Sequence, residues 1–275
     1  PTHRGCYGEC NFCAITVHEG RTVRWRSPES ILDEARKLTM HPDFKGYIMD
    51  VGGPTANMYG FECKIKIDRG TCQEKRCLYP RVCPSLKADH SHHLELLRKI
   101  SRIKGVKKVF VASGIRYDLL LSDKKYGRQY LQEVIEHHVS GQMKVAPEHS
   151  EEDVLKRMGK PGKDLLLQYK ELFDRLTREA GKEQYLTYYL IAAHPGCTNE
   201  DMQKLKLFTS QKLKINPEQV QIFLPAPSTY SSLMYYTELD PFTGKPVFVE
   251  KDPKKKEYQK NIVIKKKSLT RISRL

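Results

Sequence analysis

The chain has 275 residues, of which 39% are hydrophobic and 29% are charged, and its formal net charge is +15. This composition is typical of a globular protein, and the length suffices for one large α/β domain or two small ones. No run of about 18 apolar residues is present, so we expect no membrane span and no membrane partner. The chain begins at Pro1 without a secretory signal, which predicts a cytoplasmic protein and a fragment whose natural N-terminus lies upstream.

Near the start, three cysteines lie close together at Cys6, Cys10 and Cys13. The spacing C-x3-C-x2-C lets three thiolates converge on one metal centre, and Gly5 and Gly8 allow the backbone to wrap closely. A 4Fe–4S cluster has four irons, each usually capped by one cysteine, so three cysteines leave one iron open to another ligand. A zinc ion would need a fourth ligand from elsewhere in the chain. The pattern favours an iron–sulfur cluster, with zinc as the alternative.

Strands and helices are predicted to alternate after this loop. Ser27 followed by Pro28 marks a helix start, as do Ser150 and Thr198. Largely apolar runs predict five strands covered on both faces, at residues 47–51, 108–113, 142–146, 185–193 and 220–224. The longer predicted helices span residues 90–103, 126–138 and 164–180. Such alternation indicates an α/β fold with a parallel sheet, either barrel-like or doubly wound, in which the loops after the strands carry the chemistry.

A second group of cysteines follows the first predicted strand. Basic residues are interleaved with these cysteines, which favours thiolate over thiol. The spacing is not a standard zinc pattern, so metal or cluster binding, free thiols and disulfides all stay open. The nearby His90, His92 and His93 are expected to be exposed at the start of a helix, the alternative being that they supplement the cysteines as ligands. The four cysteines are Cys63, Cys72, Cys77 and Cys83.

Beyond about residue 225 the strand–helix pattern is lost, which predicts a core at residues 1–224 and an irregular basic C-terminal extension at residues 225–275. Residues 251–275 hold ten Lys or Arg and two acidic residues, a net charge of +8. Such a tail can bind nucleic acid through phosphate contacts, or it can be a solvated extension. Tyr230, Tyr235 and Tyr236 either line a substrate side of the fold or pack the tail across it.

The cysteine loop resembles the signature of radical S-adenosylmethionine (SAM) enzymes. Together with it, residues 3–6, 18–21, 52–57 and 234–237 look like the corresponding segments of YgiQ-type radical SAM proteins. The resemblance implies a partial (β/α)6 barrel. It also implies a 4Fe–4S cluster on the three cysteines of the loop, with SAM on the open iron and Phe12 beside its adenine.

The same resemblance assigns further SAM contacts to loops after the strands. Gly52, Gly53, Pro54 and Thr55 occupy the place of a segment that binds the amino group, unless they form an ordinary turn. Arg116 suits a carboxylate clamp because its planar fork bonds bidentately, although an ion pair with Asp118 is an equal alternative. Ribose contact is expected from Ser113 and from Glu148, which otherwise only precedes the Ser150 cap. Pro195 is expected on the adenine side.

The implied reaction is reductive cleavage of SAM to a 5′-deoxyadenosyl radical, which abstracts hydrogen from a substrate that the sequence does not name. The electron is expected from a donor such as flavodoxin or ferredoxin. Two other interpretations are a radical SAM enzyme that modifies RNA, using the basic tail, and a non-enzymatic iron–sulfur or zinc scaffold.

Overall fold

Strands and helices alternate along the chain in a computed structural model that describes residues 1–264. The strands are β1 (His3–Arg4), β2 (Arg24–Trp25), β3 (Tyr47–Ile48), β4 (Lys108–Val109), β5 (Gln142–Glu148), β6 (Tyr185–Ala192) and β7 (Gln221–Ile222). The helices are α1 (Ile15–His18), α2 (Pro28–Thr39), α3 (Lys64–Arg69), α4 (Ser91–Ser101), α5 (Tyr117–Ser122), α6 (Gly127–Glu133), α7 (Glu152–Met158), α8 (Lys163–Glu179), α9 (Asn199–Phe208), α10 (Tyr230–Thr237) and α11 (Pro253–Val263). One π-helical turn extends α6 and another extends α9, at Val134–His138 and Thr209–Leu213.

The strands from β3 to β7 are parallel, which confirms the predicted α/β class. β3 pairs with β4, and β5 pairs with β6, which pairs with β7. A parallel bridge between Ile115 and Val145 connects the two groups. The antiparallel pair β1–β2 lies beside β3, since the Thr2 amide donates to the Gly52 carbonyl at 2.8 Å. Among residues 1–264 no pairing runs from β7 back to β1 or β2, so the sheet stays open.

All five predicted strands exist, although four are shorter than their apolar runs, β6 by only one residue. β3 and β4 each contain two paired residues, yet Val51 still donates its amide to the Phe110 carbonyl at 2.9 Å. The backbone therefore continues the sheet direction towards the loops at residues 52–55 and 112–116. Because parallel strands end at one edge, these loops lie near those that follow β5, β6 and β7.

Two of the three predicted helix starts are confirmed. Ser27 caps α2 by accepting from the Ser30 amide, and Thr198 forms a capping box with Asp201 at the start of α9. The prediction for Ser150 is wrong. Its hydroxyl donates to the Glu151 carboxylate at 3.0 Å instead of accepting from the helix, and α7 begins at Glu152.

The expectation that the histidines at residues 90–93 are exposed is wrong for His90 and His93, which are 1% exposed. The His93 ring donates from Nε2 to the Val51 carbonyl at 3.1 Å, and its Nδ1 lies 3.0 Å from the Tyr130 hydroxyl. Burial lowers the pKa of His93 to about 3. These rings tie α4 and α6 to the sheet, and His92 alone faces solvent.

The C-terminal extension is not irregular throughout, because α10 and α11 form within it. Asp252 caps α11 by accepting from the backbone of Lys254 and Lys255, and Pro253 occupies the first turn. α11 packs on α9, β6 and β7. Its buried Gln259 accepts from the Ala193 amide at 3.1 Å and donates to the Cys197 carbonyl at 3.2 Å. The sequence does not predict this helix, because its buried side includes the polar Gln259 and lacks a regular apolar pattern among the lysines.

The last part of the predicted basic tail, at residues 265–275, lies outside the described residues. No helix in residues 1–264 has both the length and the apolar character required to cross a membrane.

We expect Gln259→Leu to lower the free energy of unfolding by about 2–4 kcal/mol, because the substitution leaves a buried N–H and a buried C=O without partners. Urea denaturation followed by circular dichroism measures this difference. Lys255→Leu, at an exposed position of the same helix, is the matched control and should change stability by less than about 0.5 kcal/mol. Equal stability of the two variants would show that Gln259 does not anchor α11.

Acid should destabilise the fold partly through His93. The ring is neutral in the folded protein and has a pKa of about 6.5 in the unfolded chain, so the unfolded state binds its proton first as pH falls. The stability that His93 contributes is therefore present above pH 6.5 and is lost as pH decreases towards 3. We expect His93→Gln to reduce the slope of unfolding free energy against pH by up to about 1.4 kcal/mol per pH unit. His92→Gln should leave that slope unchanged, and an unchanged slope in both variants would contradict the assignment.

Candidate functional site

The three-cysteine loop lies between β1 and α1 and is held by its own backbone. Gly5 adopts a φ of +85°, and a side chain there would lie 2.6 Å from the Thr22 carbonyl oxygen, so only glycine lets the two segments approach. The Cys6 amide donates to the Gly20 carbonyl at 3.2 Å, and the Cys13 amide donates to the Cys10 carbonyl at 3.1 Å. The start of the loop is therefore tied to the segment after α1, and its last turn is closed by its own backbone.

Cys6, Cys10 and Cys13 all line one cavity of about 510 Å³. This volume falls within the range of about 300–1,000 Å³ that is usual for small-molecule sites. Burial raises the pKa of Cys13 to about 11, and burial followed by the neighbouring Cys10 raises that of Cys6. The three thiols are thus close enough to influence one another's charge.

The three thiols line one cavity but are not gathered around a single point. Within residues 1–264, no three or more His, Cys, Asp or Glu side chains are placed to ligate one ion. The cysteines of an iron–sulfur cluster cap different irons and so stand farther apart than the ligands of zinc. Glycine at position 8 lets Arg116 and the Cys6 thiol approach the loop backbone, since a side chain there would lie 2.8 Å from Arg116 and 3.2 Å from the Cys6 sulfur.

Arg116 is a buried cation at the base of the cavity. Its Nε and Nη2 donate to the two carboxylate oxygens of Asp118 at 2.8 and 2.9 Å, and its Nη1 lies 3.4 Å from the Cys10 sulfur. Burial alone would lower the pKa of Arg116. The neighbouring Asp118 and Cys10 have the larger effect, so the pKa of Arg116 lies well above its usual value. Asp118 therefore occupies the guanidinium fork, so the structure shows the ion pair that the sequence allows as the alternative to a carboxylate clamp. The charge instead faces the cysteine loop.

A hydrogen-bonded chain of buried polar groups fixes the backbone of Arg116. Asn57 accepts from the Arg116 amide at 2.8 Å and donates to its carbonyl at 3.0 Å. The Asn57 amide nitrogen also lies 3.0 Å from His90 Nε2, while His90 Nδ1 lies 2.8 Å from Asp123. Burial alone would raise the pKa of Asp123, but hydrogen bonds from His90 and from the Tyr126 backbone lower it to about 2. Asp123 is thus ionised and holds the chain in register.

Glu148 and Lys160 form a second charged pair in the cavity. Both side chains are buried, and Lys160 Nζ lies 4.0 Å from the Glu148 carboxylate, which is longer than a hydrogen bond. Burial raises the pKa of Glu148, with Lys160 and then Arg116 opposing that rise. Glu148 has a φ of +69° where β5 departs from its regular pairing with β6, a strained conformation of the kind often found at functional sites.

Sequence reasoning missed Lys160 and Asn57. Lys160 directly follows Gly159, whose left-handed conformation ends α7, so the helix stop was the available signal. Asn57 belongs to the glycine-rich segment at residues 52–57, but nothing in the sequence shows that it reaches Arg116, 59 residues away.

Five of the nine residues expected to contact SAM line the cavity, namely Phe12, Pro54, Thr55, Arg116 and Glu148. Gly52 and Gly53 instead allow close packing, since a side chain would lie 2.9 Å from Ser113 Oγ at Gly52 and 2.7 Å from the His3 ring at Gly53. Ser113 is turned towards the Asp50 carboxylate, which accepts from the serine hydroxyl and amide. The cavity wall there is formed by Gly114.

Pro195 is buried and does not line the cavity. The neighbouring His194 ring meets Phe12 edge-on, with a centroid distance of 6.3 Å, and its Nε2 lies 2.7 Å from the Ser231 hydroxyl. This loop therefore supports Phe12 without lining the cavity itself.

The tyrosines of α10 do not line the cavity either. Tyr230 packs on Phe242 at 4.8 Å between ring centroids, and the Tyr235 hydroxyl accepts from Lys256 at 2.8 Å. Tyr236 is 72% exposed. The far wall is formed instead by side chains from β6, β7 and the residues that follow β7, namely Tyr189, Ile191, Gln221, Ile222, Phe223 and Leu224.

The second cysteine group lines a separate cavity of about 500 Å³, which includes Cys63, Cys72, Cys77 and Cys83. All eight cysteines of the chain are free thiols, so the disulfide alternative is not realised.

Comparison with known proteins gives one consistent result. The sequence profile of the radical SAM superfamily matches residues 1–208. A UPF0313 protein of Fusobacterium nucleatum is 58% identical over 266 residues, covering 97% of this chain and 47% of the relative. A UPF0313 protein of Methanosarcina mazei is 49% identical over 262 residues, covering 95% of this chain and 41% of the relative. The chain thus spans less than half the length of these relatives.

Among solved structures, the cobalamin-dependent S-adenosylmethionine radical enzyme OxsB superposes with a TM-score of 0.54 at 16% identity, covering 89% of this chain and 31% of that one. At this identity the likeness shows the fold alone. The profile match covers about three quarters of the sequence and includes the cysteine loop, β1 to β6 and every segment that lines the cavity except the one at residues 221–224. The chain belongs to the radical SAM superfamily.

Proposed function

We propose that this chain binds a 4Fe–4S cluster through Cys6, Cys10 and Cys13 and cleaves SAM reductively in the adjoining cavity. The observation that carries the proposal is that the cysteine loop, the loops after β3 and β4, and residues in or directly after β5, β6 and β7 all line one cavity of about 510 Å³. We further propose that these five parallel strands are part of a (β/α)6 barrel.

When bound, the cluster supplies one electron, which splits SAM into methionine and a 5′-deoxyadenosyl radical that abstracts hydrogen from a substrate. The electron comes from a donor protein of the flavodoxin or ferredoxin class. The protein's own tasks are to hold the reactants in place and to exclude water.

Arg116 performs the first of these tasks at the cysteine loop. Its Nη1 lies 3.4 Å from the Cys10 sulfur, and its fork is fixed by Asp118. A buried cation beside a thiol favours the thiolate, which is the form that ligates iron. Because the guanidinium is already held, it stabilises that charge without rearrangement.

Glu148 and Lys160 are suited to bind the polar part of SAM. Their 4.0 Å separation leaves both groups with free hydrogen-bonding capacity towards the cavity. A carboxylate is an acceptor for ribose hydroxyls, and an ammonium is a donor to oxygen. Phe12 supplies an apolar ring for the adenine, supported from behind by His194.

The interpretation of the basic tail as an RNA-binding segment stays a prediction. α11 uses its buried side to pack on the core, and residues 265–275 lie outside the described part of the chain.

Anaerobic reconstitution with iron and sulfide tests the proposed function. We expect the wild-type protein, reduced with dithionite, to release methionine and 5′-deoxyadenosine from SAM. Cys10→Ala should reduce this to the level of protein without a cluster, because a ligand of the cluster is lost. Cys197→Ala is the matched control, since this buried cysteine lies outside both cysteine groups, and it should retain cleavage. If the wild-type protein binds only zinc, the proposed radical SAM activity is refuted. Full SAM cleavage by Cys10→Ala would refute the assignment of Cys10 as a cluster ligand.

Glu148→Gln tests the SAM contact. Loss of a charge-assisted hydrogen bond of about 1.5–3 kcal/mol should weaken SAM binding by roughly 10- to 100-fold. Calorimetric titration of SAM into the reconstituted protein measures the affinity, and the KM for SAM should rise more than kcat falls. Glu152→Gln, in the first turn of α7 on the exposed surface, should bind SAM as the wild type does. An unchanged affinity in Glu148→Gln would remove this residue from the SAM site.

A further inference from the structure

The second cavity brings together four cysteines that the proposed reaction does not use. Cys63 precedes α3, and the other three lie in the long loop between α3 and α4. The Cys83 amide donates to the Cys77 carbonyl at 2.7 Å, so the loop folds back on itself. All four of these cysteines line the same cavity of about 500 Å³. A chain segment of irregular structure thus gathers four thiols around one space.

Lys66 shows that this space lacks an anion. Its side chain is buried, and the ammonium donates to the Arg21 carbonyl and lies 5.3 Å from the centre of the Tyr7 ring. Within residues 1–264 no carboxylate is within salt-bridge distance of it. Lys66 lines this cavity together with the four cysteines. A buried cation without an anionic partner is costly, so the site is complementary to a negatively charged group.

Other charges around the cavity have the same sign. Lys75 and Arg76 also line it, against the single carboxylate of Glu74 at its exposed rim. Four thiolates and the iron or zinc that they bind carry a net negative charge, which this set of cations would balance.

The size of the cavity favours an iron–sulfur cluster over a single zinc ion. Zinc requires four sulfurs about 2.3 Å from one point, and no such group exists among residues 1–264. In a 4Fe–4S cluster each cysteine caps a different iron, so the thiols surround a volume rather than a point. A cavity of about 500 Å³ between the four cysteines agrees with the second geometry.

We propose that Cys63, Cys72, Cys77 and Cys83 bind a second 4Fe–4S cluster, fully capped by protein. Unlike the loop at Cys6–Cys13, this site supplies one cysteine for every iron and leaves none open, so the cluster takes no SAM. The proposal does not rest on SAM cleavage, because it concerns a separate cavity with its own ligands.

The second site lies against the first cysteine loop. Cys63 and Cys77 share a small buried core with Tyr7 and Leu119, and Cys6 and Cys83 pack at its edge. Arg21 donates to the Cys72 carbonyl at 3.0 Å and pairs with Glu9, which lies between two cysteines of the first loop. The two sites are therefore built on one shared piece of structure.

Iron and sulfide analysis after anaerobic reconstitution tests the proposal. We expect about eight irons and eight sulfides per chain in the wild type. A variant with Cys6, Cys10 and Cys13 changed to Ala should keep about four of each, and a variant with Cys63, Cys72, Cys77 and Cys83 changed to Ser should also keep about four. Cys197→Ala should keep the wild-type content.

Electron paramagnetic resonance separates the two clusters. After reduction, the signal of the Cys6/Cys10/Cys13 variant should be unaffected by SAM, because no iron is open. That of the Cys63/Cys72/Cys77/Cys83 variant should change when SAM is added. If the second variant does not fold, the iron content of the first variant decides the question.

A wild-type content of about four irons, lost entirely in the Cys6/Cys10/Cys13 variant, would overturn the proposal. So would one zinc per chain that this variant retains. About four irons in this variant together with an absence of SAM cleavage in the wild type would support the second site and refute the proposed function alone.

Discussion

The buried guanidinium of Arg116 is the constraint around which the site is organised. It joins two groups that are far apart in the sequence, the Asp118 carboxylate and the Cys10 thiol, and its backbone is held by Asn57. Removing one partner of a buried ion pair costs about 3–5 kcal/mol, so these positions are closely interdependent. His90 and Asp123 extend the constraint to α4 and to the turn before α6. The position of the cysteine loop is thus set by polar contacts beneath the cavity as well as by the loop itself.

The walls of the cavity beside these charges are mostly apolar and include Ile115, Ile191 and Phe223. Charges act more strongly in such surroundings because less water screens them. The two charged pairs differ in kind. Asp118 occupies the guanidinium fork of Arg116, so this pair contributes to the structure of the protein. Glu148 and Lys160 are held apart and face the cavity.

The sequence predicts the parts of the structure that depend on local pattern. Apolar runs mark the strands because the strands are covered on both faces, and Thr198 with Asp201 marks a helix start because its hydrogen bonds are local. Long-range contacts are not encoded in this way. Nothing near Asn57 indicates His90 or Arg116 as its partners, and Gly53 is a packing position only because the His3 ring reaches it. From the sequence, Arg116 could either bind a ligand carboxylate or pair with Asp118, and only the structure shows that its guanidinium pairs with Asp118.

The attachment of α11 has a consequence for local motion. Gln259 bonds the backbone at Ala193 and at Cys197, on either side of the turn that follows β6. Tyr189 and Ile191, on the same strand, form part of the cavity wall. When α11 detaches transiently, both backbone groups lose their partners, and the end of β6 is released with them. Amide hydrogen exchange at the end of β6 therefore reports on a helix more than sixty residues later in the chain, and the two should open as one cooperative unit.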